Sequence, residues 1–267
     1  MISSYIAEFS AVWKILFRMP LPSFLPDKGG SDFPEIDSHP ALMRPLMPVE
    51  GALFGLMLAF PFWVLQLFPG GKLTASIVGA IAMPLFAELL TAWSGLNALA
   101  AFIDLRRSGH SQEEALTAIP DSIDEPRAGS SMLILMILYV LRMIFFAVIA
   151  MYAPFWFIVT MTCGWLLRAE LTTLNRPGTP MEQPWIAVPR GKEKQHWYLA
   201  AYVLLPVAVF FPISTILAYI IAGCLVWLAK NLCLESISGI NRQAFEVFGY
   251  AAELLLLFLG ILIYAKP

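Results

Sequence analysis

Asp104 closes the stretch LTAWSGLNALAAFID, Leu90 to Asp104, in which fourteen uncharged, mostly apolar residues run into one carboxylate. More acids follow in SQEEALTAIPDSIDEPRAG: Glu113, Glu114, Asp121, Asp124 and Glu125. Brought together with Asp104, they could hold a hard divalent cation such as Mg²⁺, which takes oxygen ligands and bridges to substrate phosphates. A solvated acidic loop accounts for the same composition, and Asp121 to Pro126 also has the form of a helix cap and turn. Three other charges, Glu88, Arg142 and Glu253, interrupt apolar segments. A charge at membrane depth costs at least about 2.5 kcal/mol on insertion scales, so each needs a partner, a cavity or an interface. These three read either as a polar site or as ion pairs tying helices together. Glu50 and Glu246 are expected at span ends, in headgroup water.

Softer metal chemistry has little support. Cys163, Cys224 and Cys233 lack the pair spacing of a zinc or redox site and read as packing residues. His39, His110 and His196 lie far apart and form no metal spacing such as H-E-x-x-H. The net charge of −2 and the absence of any basic run give no reason to expect nucleic acid as a partner.

The elements that must position these residues are membrane helices. Of 267 residues, 59% are hydrophobic and 13% charged, with a mean hydropathy of +0.73, outside the balance of a soluble domain. We expect an all-α integral membrane protein, one transmembrane domain over 1–267, with about seven spans. Gly51 to Phe68, Leu73 to about Trp93, Met132 to Met151 and Phe155 to Leu167 make four. Tyr198 to Phe211 and Ile213 to Leu228 form a pair joined at Pro212, or one kinked helix. Val247 to Tyr264 makes the last, and a half-helix could carry the chain from the second span to Asp104. The N-terminal segment 1–45 contains Ile6, Phe9, Val12, Trp13, Leu16 and Phe17 on one helical face, the pattern of an amphipathic interfacial helix in contact with membrane lipid.

Charge placement orients this bundle. With the N-terminus cytoplasmic, all 17 lysines and arginines except Lys72, Lys266 and the intramembrane Arg142 fall on the inner side. The long loops, 105–129 and 168–195, then face the cytoplasm.

Several stretches, in order along nearly the whole chain, resemble the cobalamin synthases, or adenosylcobinamide-GDP ribazoletransferases. Phe17-Arg18-Met19-Pro20-Leu21-Pro22 is similar to that family's Arg-Leu-Pro-x-Pro segment, and Met47-Pro48-Val49-Glu50-Gly51 to its Phe-Pro-x-x-Gly entry into the first span. Where the family has His-Leu-Asp-Gly-Leu-Ala-Asp-x-x-Asp-Gly, the chain reads Gly95-Leu96-Asn97-Ala98-Leu99-Ala100-Ala101-Phe102-Ile103-Asp104-Leu105. Asp104 keeps the third acidic position, while Asn97 and Ala101 replace the first two. Asp121-Ser122 falls at the family's Arg-Asp-Ser-Arg-x-Gly without its flanking arginines. Arg142 and Arg168 sit near its basic positions, and Glu253 matches the second of two late glutamates, with Tyr250 at the first.

The resemblance implies a prokaryotic inner-membrane enzyme of late cobalamin assembly that joins α-ribazole, or its phosphate, to adenosylcobinamide-GDP and releases GMP, with Mg²⁺ required. Its corrinoid and nucleotide partners are small molecules; a homo-oligomer or a complex with other corrinoid-assembly enzymes is compatible with it. By the same resemblance Asp104, Asp121 and Asn97 hold the metal. Asp104, Asp121 and Arg168 are catalytic, and Asn97, Ser122, Arg142 and Glu253 contact substrate. Asn97 keeps an oxygen ligand but loses its charge, and Ala101 loses the ligand. A catalytically impaired relative that binds a corrinoid, a nucleotide or a partner enzyme in the same cavity fits these departures. A transporter using Glu88, Arg142 and Glu253 as a polar path is a third reading, disfavoured by the one-sided loops.

Overall fold

The structure is a computed structural model that describes residues 40–91, 93–117, 130–174, 195–237 and 242–265. The expected N-terminal interfacial helix, Asp121, Ser122, Asp124 and Glu125 lie outside the described residues. Among those described, the regular structure is entirely helical: α1 Pro40–Gln66, α2 Gly71–Leu90, α3 Ser94–Arg107, α4 Gln112–Thr117, α5 Ser130–Tyr152, α6 Trp156–Leu171, α7 Gln195–Phe210, α8 Pro212–Ile237 and α9 Arg242–Tyr264, with a 3₁₀ turn at Thr172–Leu174.

Five segments are long and apolar enough to cross a membrane: Pro45–Gln66, Gly71–Leu90, Met132–Tyr152, Pro212–Glu235 and Ala244–Tyr264. The expected fourth and fifth spans form α6 and α7, helices of 16 residues each, short of that length. The 198–228 region is a pair of helices broken at Phe211.

Helix faces follow the lipid. On α5, Leu133, Met136, Ile137, Val140 and Ile144 are exposed, while Arg142, Phe145, Phe146 and Ile149 are buried. The spacing separates a lipid face from a protein face on one apolar helix. Helix α6 is buried along its length except at Ile158 and Glu170. It is the hub against which α1 and α9 pack, running antiparallel to each.

Close approach of α1 to α6 depends on Gly55. A Cβ there would stand 2.6 Å from Ile158 Cα and 2.6 Å from the Phe157 carbonyl oxygen, both backbone atoms that cannot swing aside. Gly55→Val is expected to force these helices apart and destabilise the protein by roughly 1–3 kcal/mol, read as a lower midpoint in thermal unfolding in lipid. An unchanged midpoint would show that the helices do not meet there.

The second span does not continue to Asp104. Helix α2 ends at Leu90, and Trp93 adopts a left-handed conformation with φ 61°. A non-glycine residue seldom does so, and such positions cluster at functional sites. Trp93 N–H donates to the Glu88 carbonyl at 2.9 Å, Asn97 N–H donates to the Trp93 carbonyl at 2.9 Å, and the indole packs on Tyr139 at 5.5 Å. The turn redirects the chain into α3, which lies against α5 and α9.

Candidate functional site

Four helices bring charge to one buried place. Helix α2 supplies Glu88, α5 Arg142, α6 Arg168, and α9 supplies Glu246, Tyr250 and Glu253, which share one face at spacings of four and three. Glu88 and Arg142 form a hydrogen-bonded ion pair with almost no exposed surface. The Tyr250 hydroxyl donates to Glu88 Oε1 at 2.9 Å and accepts from Arg142 Nη1 at 3.3 Å. The Arg142 guanidinium lies 4.9 Å from the Tyr250 ring centre and 5.2 Å from that of Phe146. Arg142 Nη2 is 3.8 Å from Glu253 Oε2, and the other oxygen of Glu253 accepts from Arg168 Nη1 in a second ion pair. Arg168 Nη2 is 3.9 Å from Glu246 Oε2.

Glycines make room for the second pair in a reciprocal way. On α9, a Cβ at Gly249 would stand 2.3 Å from Arg168 Nε; on α6, one at Gly164 would stand 2.8 Å from Glu253 Cγ. Each helix therefore carries a gap that the other's charged side chain fills. A cavity of about 20 Å³ remains between the helices, room for about one water. Both arginines, Glu246, Tyr250 and Glu253 line it, together with Phe54, Thr91, Gly95 and Trp165. Guanidinium groups in such a low-dielectric setting are strong ligands for anionic oxygens.

The structure thus joins three of the sequence-derived site residues, Arg142, Arg168 and Glu253. Asn97 and Asp104 lie on α3, both half-buried. That helix abuts the network at Gly95, where a Cβ would come within 2.8 Å of the Tyr250 ring. Asn97 and Asp104 are seven residues apart, two helical turns on one face. Their donors are oxygens, which suits a hard cation, but two do not complete a site. No group of three His, Cys, Asp or Glu side chains among the described residues could hold a metal, and Asp121 and Ser122 lie outside them. Glu114 is committed elsewhere: its carboxylate accepts from Ser111 N–H at 2.7 Å, and Ser111 Oγ accepts from Glu114 N–H at 3.1 Å. This is a capping box for α4, and its hydrogen bonds hold the Glu114 carboxyl below its ordinary range.

Two glutamates depart from the expected headgroup positions. Glu50 is fully buried, and neither oxygen has a hydrogen-bond partner among the described residues. Glu246 is half-buried and joins the charge network. Both lie where helix packing, rather than distance from a span end, decides burial.

A second polar cluster was not apparent from the sequence. Glu170 pairs with buried His196 through one oxygen, which also accepts from Trp197 Nε1 at 3.0 Å; its other oxygen accepts from Lys230 Nζ at 2.7 Å. One carboxylate thereby ties α6, α7 and α8 together. Burial raises its pKa, but the hydrogen bonds from His196, Lys230 and Trp197 outweigh that and bring it to about 2. A carboxylate with a lowered folded pKa stabilises above its ordinary value of 4.5, and that contribution is lost as the pH falls towards about 2. Wild type is therefore expected to lose thermal stability between about pH 4.5 and 2 more steeply than Glu170→Gln. Parallel pH profiles of the two proteins would remove Glu170 from the acid response.

Membrane-length helices packed around an interior chain of ion pairs define a polytopic helical membrane protein with a charged site buried between its helices. The chain belongs to the CobS family, cobalamin-5-phosphate synthase, which matches residues 8–260. That family is one of cobalamin biosynthesis, and the resemblance drawn from the separate motifs holds across almost the whole chain. No curated protein and no solved structure matches it.

Proposed function

We propose that this protein is a cobalamin-synthase transferase of the inner membrane, joining α-ribazole or its phosphate to adenosylcobinamide-GDP with release of GMP. In that reaction a ribazole hydroxyl oxygen bonds to the phosphorus next to the cobinamide. The bridging P–O bond to GMP breaks, and the hydroxyl gives up its proton. The observation that carries the reading is the pair of buried guanidiniums, Arg142 and Arg168, joined through Glu253 beside the helix that bears Asp104, in a chain matched by the CobS family over residues 8–260. Arg168 contacts a substrate phosphate, while Arg142 and Glu253 hold it in place. Asp104, Asn97 and Asp121 would hold Mg²⁺, which would neutralise charge on the transferring phosphoryl group.

A second reading, a corrinoid-binding or nucleotide-binding scaffold, is favoured by Asn97 and Ala101, which stand where the family's motif has aspartates. Purified protein in lipid, given adenosylcobinamide-GDP, α-ribazole and Mg²⁺, separates the two. GMP and the joined corrinoid appearing in equal amounts is the transferase result. Retained corrinoid with no GMP at any metal concentration supports the scaffold and overturns the transferase.

A further inference from the structure

The polar network and α3 meet at one side chain, Tyr250 of α9, which is 3% exposed. Its hydroxyl lies between Glu88 and Arg142, donating to the first at 2.9 Å and accepting from the second at 3.3 Å. Glu88 Oε2 has no hydrogen-bond partner among the described residues, so the carboxylate is held through Oε1, by Arg142 and Tyr250. With the Arg142 guanidinium also 4.9 Å from the ring centre, both ends of the tyrosine are engaged.

The same ring bears on α3. A Cβ added at Gly95 would stand 2.8 Å from Cδ2, 3.1 Å from Cβ and 3.2 Å from Cγ of Tyr250, so the bare backbone of α3 rests directly on it. Two residues earlier, Trp93 makes the left-handed turn, with its N–H on the Glu88 carbonyl and its indole on Tyr139 of α5. The first turn of α3 is therefore seated on the elements that make the Glu88–Arg142 pair. Asn97 follows Gly95 by two residues and Asp104 by nine, the latter about 13 Å further along the axis. A small tilt at the first turn is enlarged over that distance. Oxygen donors for a small hard cation must be kept to within about 0.5 Å, so the seat decides whether the face is fit for a metal.

We propose that Tyr250 is the positioning residue that sets the metal-bearing face of α3 against Arg142. Its ring carries the first turn of α3, while its hydroxyl satisfies Glu88. The role rests on the reading of Asn97 and Asp104 as metal ligands and adds what holds them in register. Tyr250 acts through α3 and touches no metal itself.

The test is Mn²⁺ binding to the full-length protein in lipid, without substrate, followed by electron paramagnetic resonance; Mn²⁺ suits the same oxygen donors as Mg²⁺. Wild type is compared with Tyr250→Leu, Gly95→Ala, the double variant of these two, Tyr250→Phe and Asp104→Ala, with an unfolding midpoint for each. Tyr250→Leu removes the seat and is expected to bind at least about tenfold more weakly, the scale of losing a group that orients metal ligands. Gly95→Ala, which pushes α3 off the ring, should weaken binding by a similar factor. Because both break one contact, the double variant should bind no more weakly than the worse single one. Tyr250→Phe keeps the ring and takes the hydroxyl from Glu88, so its midpoint should fall while its Mn²⁺ affinity stays near that of wild type. Affinity that follows the unfolding midpoint across the variants would overturn the positioning role and leave the metal site standing. So would wild-type affinity in Gly95→Ala, a result that stands even if Tyr250→Leu does not fold. Wild type that binds no Mn²⁺, or binding unchanged in Asp104→Ala, would overturn the metal site and the role with it.

Discussion

Arg142→Gln is expected to destabilise the protein by about 3–5 kcal/mol, because it leaves the Glu88 carboxylate buried without its cation. The environment gives that carboxylate little relief: Glu88 has no exposed surface, and its described polar contacts are Arg142 and the Tyr250 hydroxyl. Glu88→Gln alone should be similarly harmful, since among the described residues it leaves Arg142 with Glu253, at 3.8 Å, as its carboxylate partner. The double variant Glu88→Gln, Arg142→Gln is expected to recover much of the loss, because neither charge is then unpaired. Thermal unfolding of the four proteins in lipid gives the cycle. Additive losses, each under about 1 kcal/mol, would mean that the two side chains do not depend on each other.

How far the sequence reveals this arrangement depends on how local each feature is. The long spans are legible because an unbroken apolar run of sufficient length has few other uses. The network was legible in part: Glu88, Arg142 and Glu253 stand out as charges in apolar segments, and their cost calls for mutual pairing. Which pairs form was not legible, since Arg168 and Glu246 lie near helix ends where water is an equally good partner. Gly164 and Gly249 carry no signal of their own either; each matters through a side chain on another helix 85 residues or so away in sequence. The end of the second span near Trp93 and a separate short helix to Asp104 were legible in outline, but the left-handed conformation of Trp93 was not, because Thr91-Ala92-Trp93 contains neither glycine nor proline and the turn is set in tertiary context. Glu50 was misplaced for the same reason. Its position near the start of a span suggests water, while the packing of α1 removes it.

Asp104→Ala is expected to lower the rate of GMP release at least about a hundredfold, the scale of losing one group that balances charge in a transition state. Asp104 is the remaining carboxylate of the stretch from Leu90 onwards, and no neighbouring acid on α3 can replace it. Folding should survive the change, since Asp104 is half-buried near the end of a helix whose last turn carries Arg106 and Arg107. Comparable unfolding midpoints for Asp104→Ala and wild type would assign the lost rate to chemistry; a collapsed midpoint would assign Asp104 to the scaffold instead.

The most direct measurement is the Mg²⁺ dependence of GMP release from adenosylcobinamide-GDP and α-ribazole, for wild type, Asp104→Ala and Asn97→Asp in lipid. The expected result is saturable release by wild type and none above background for Asp104→Ala. Asn97→Asp, which adds a charged ligand on the same face of α3, should reach half-maximal rate at roughly tenfold lower Mg²⁺. Release independent of Mg²⁺ and of Asp104, or no release by wild type at any concentration, would contradict a metal-dependent transferase built on this helix.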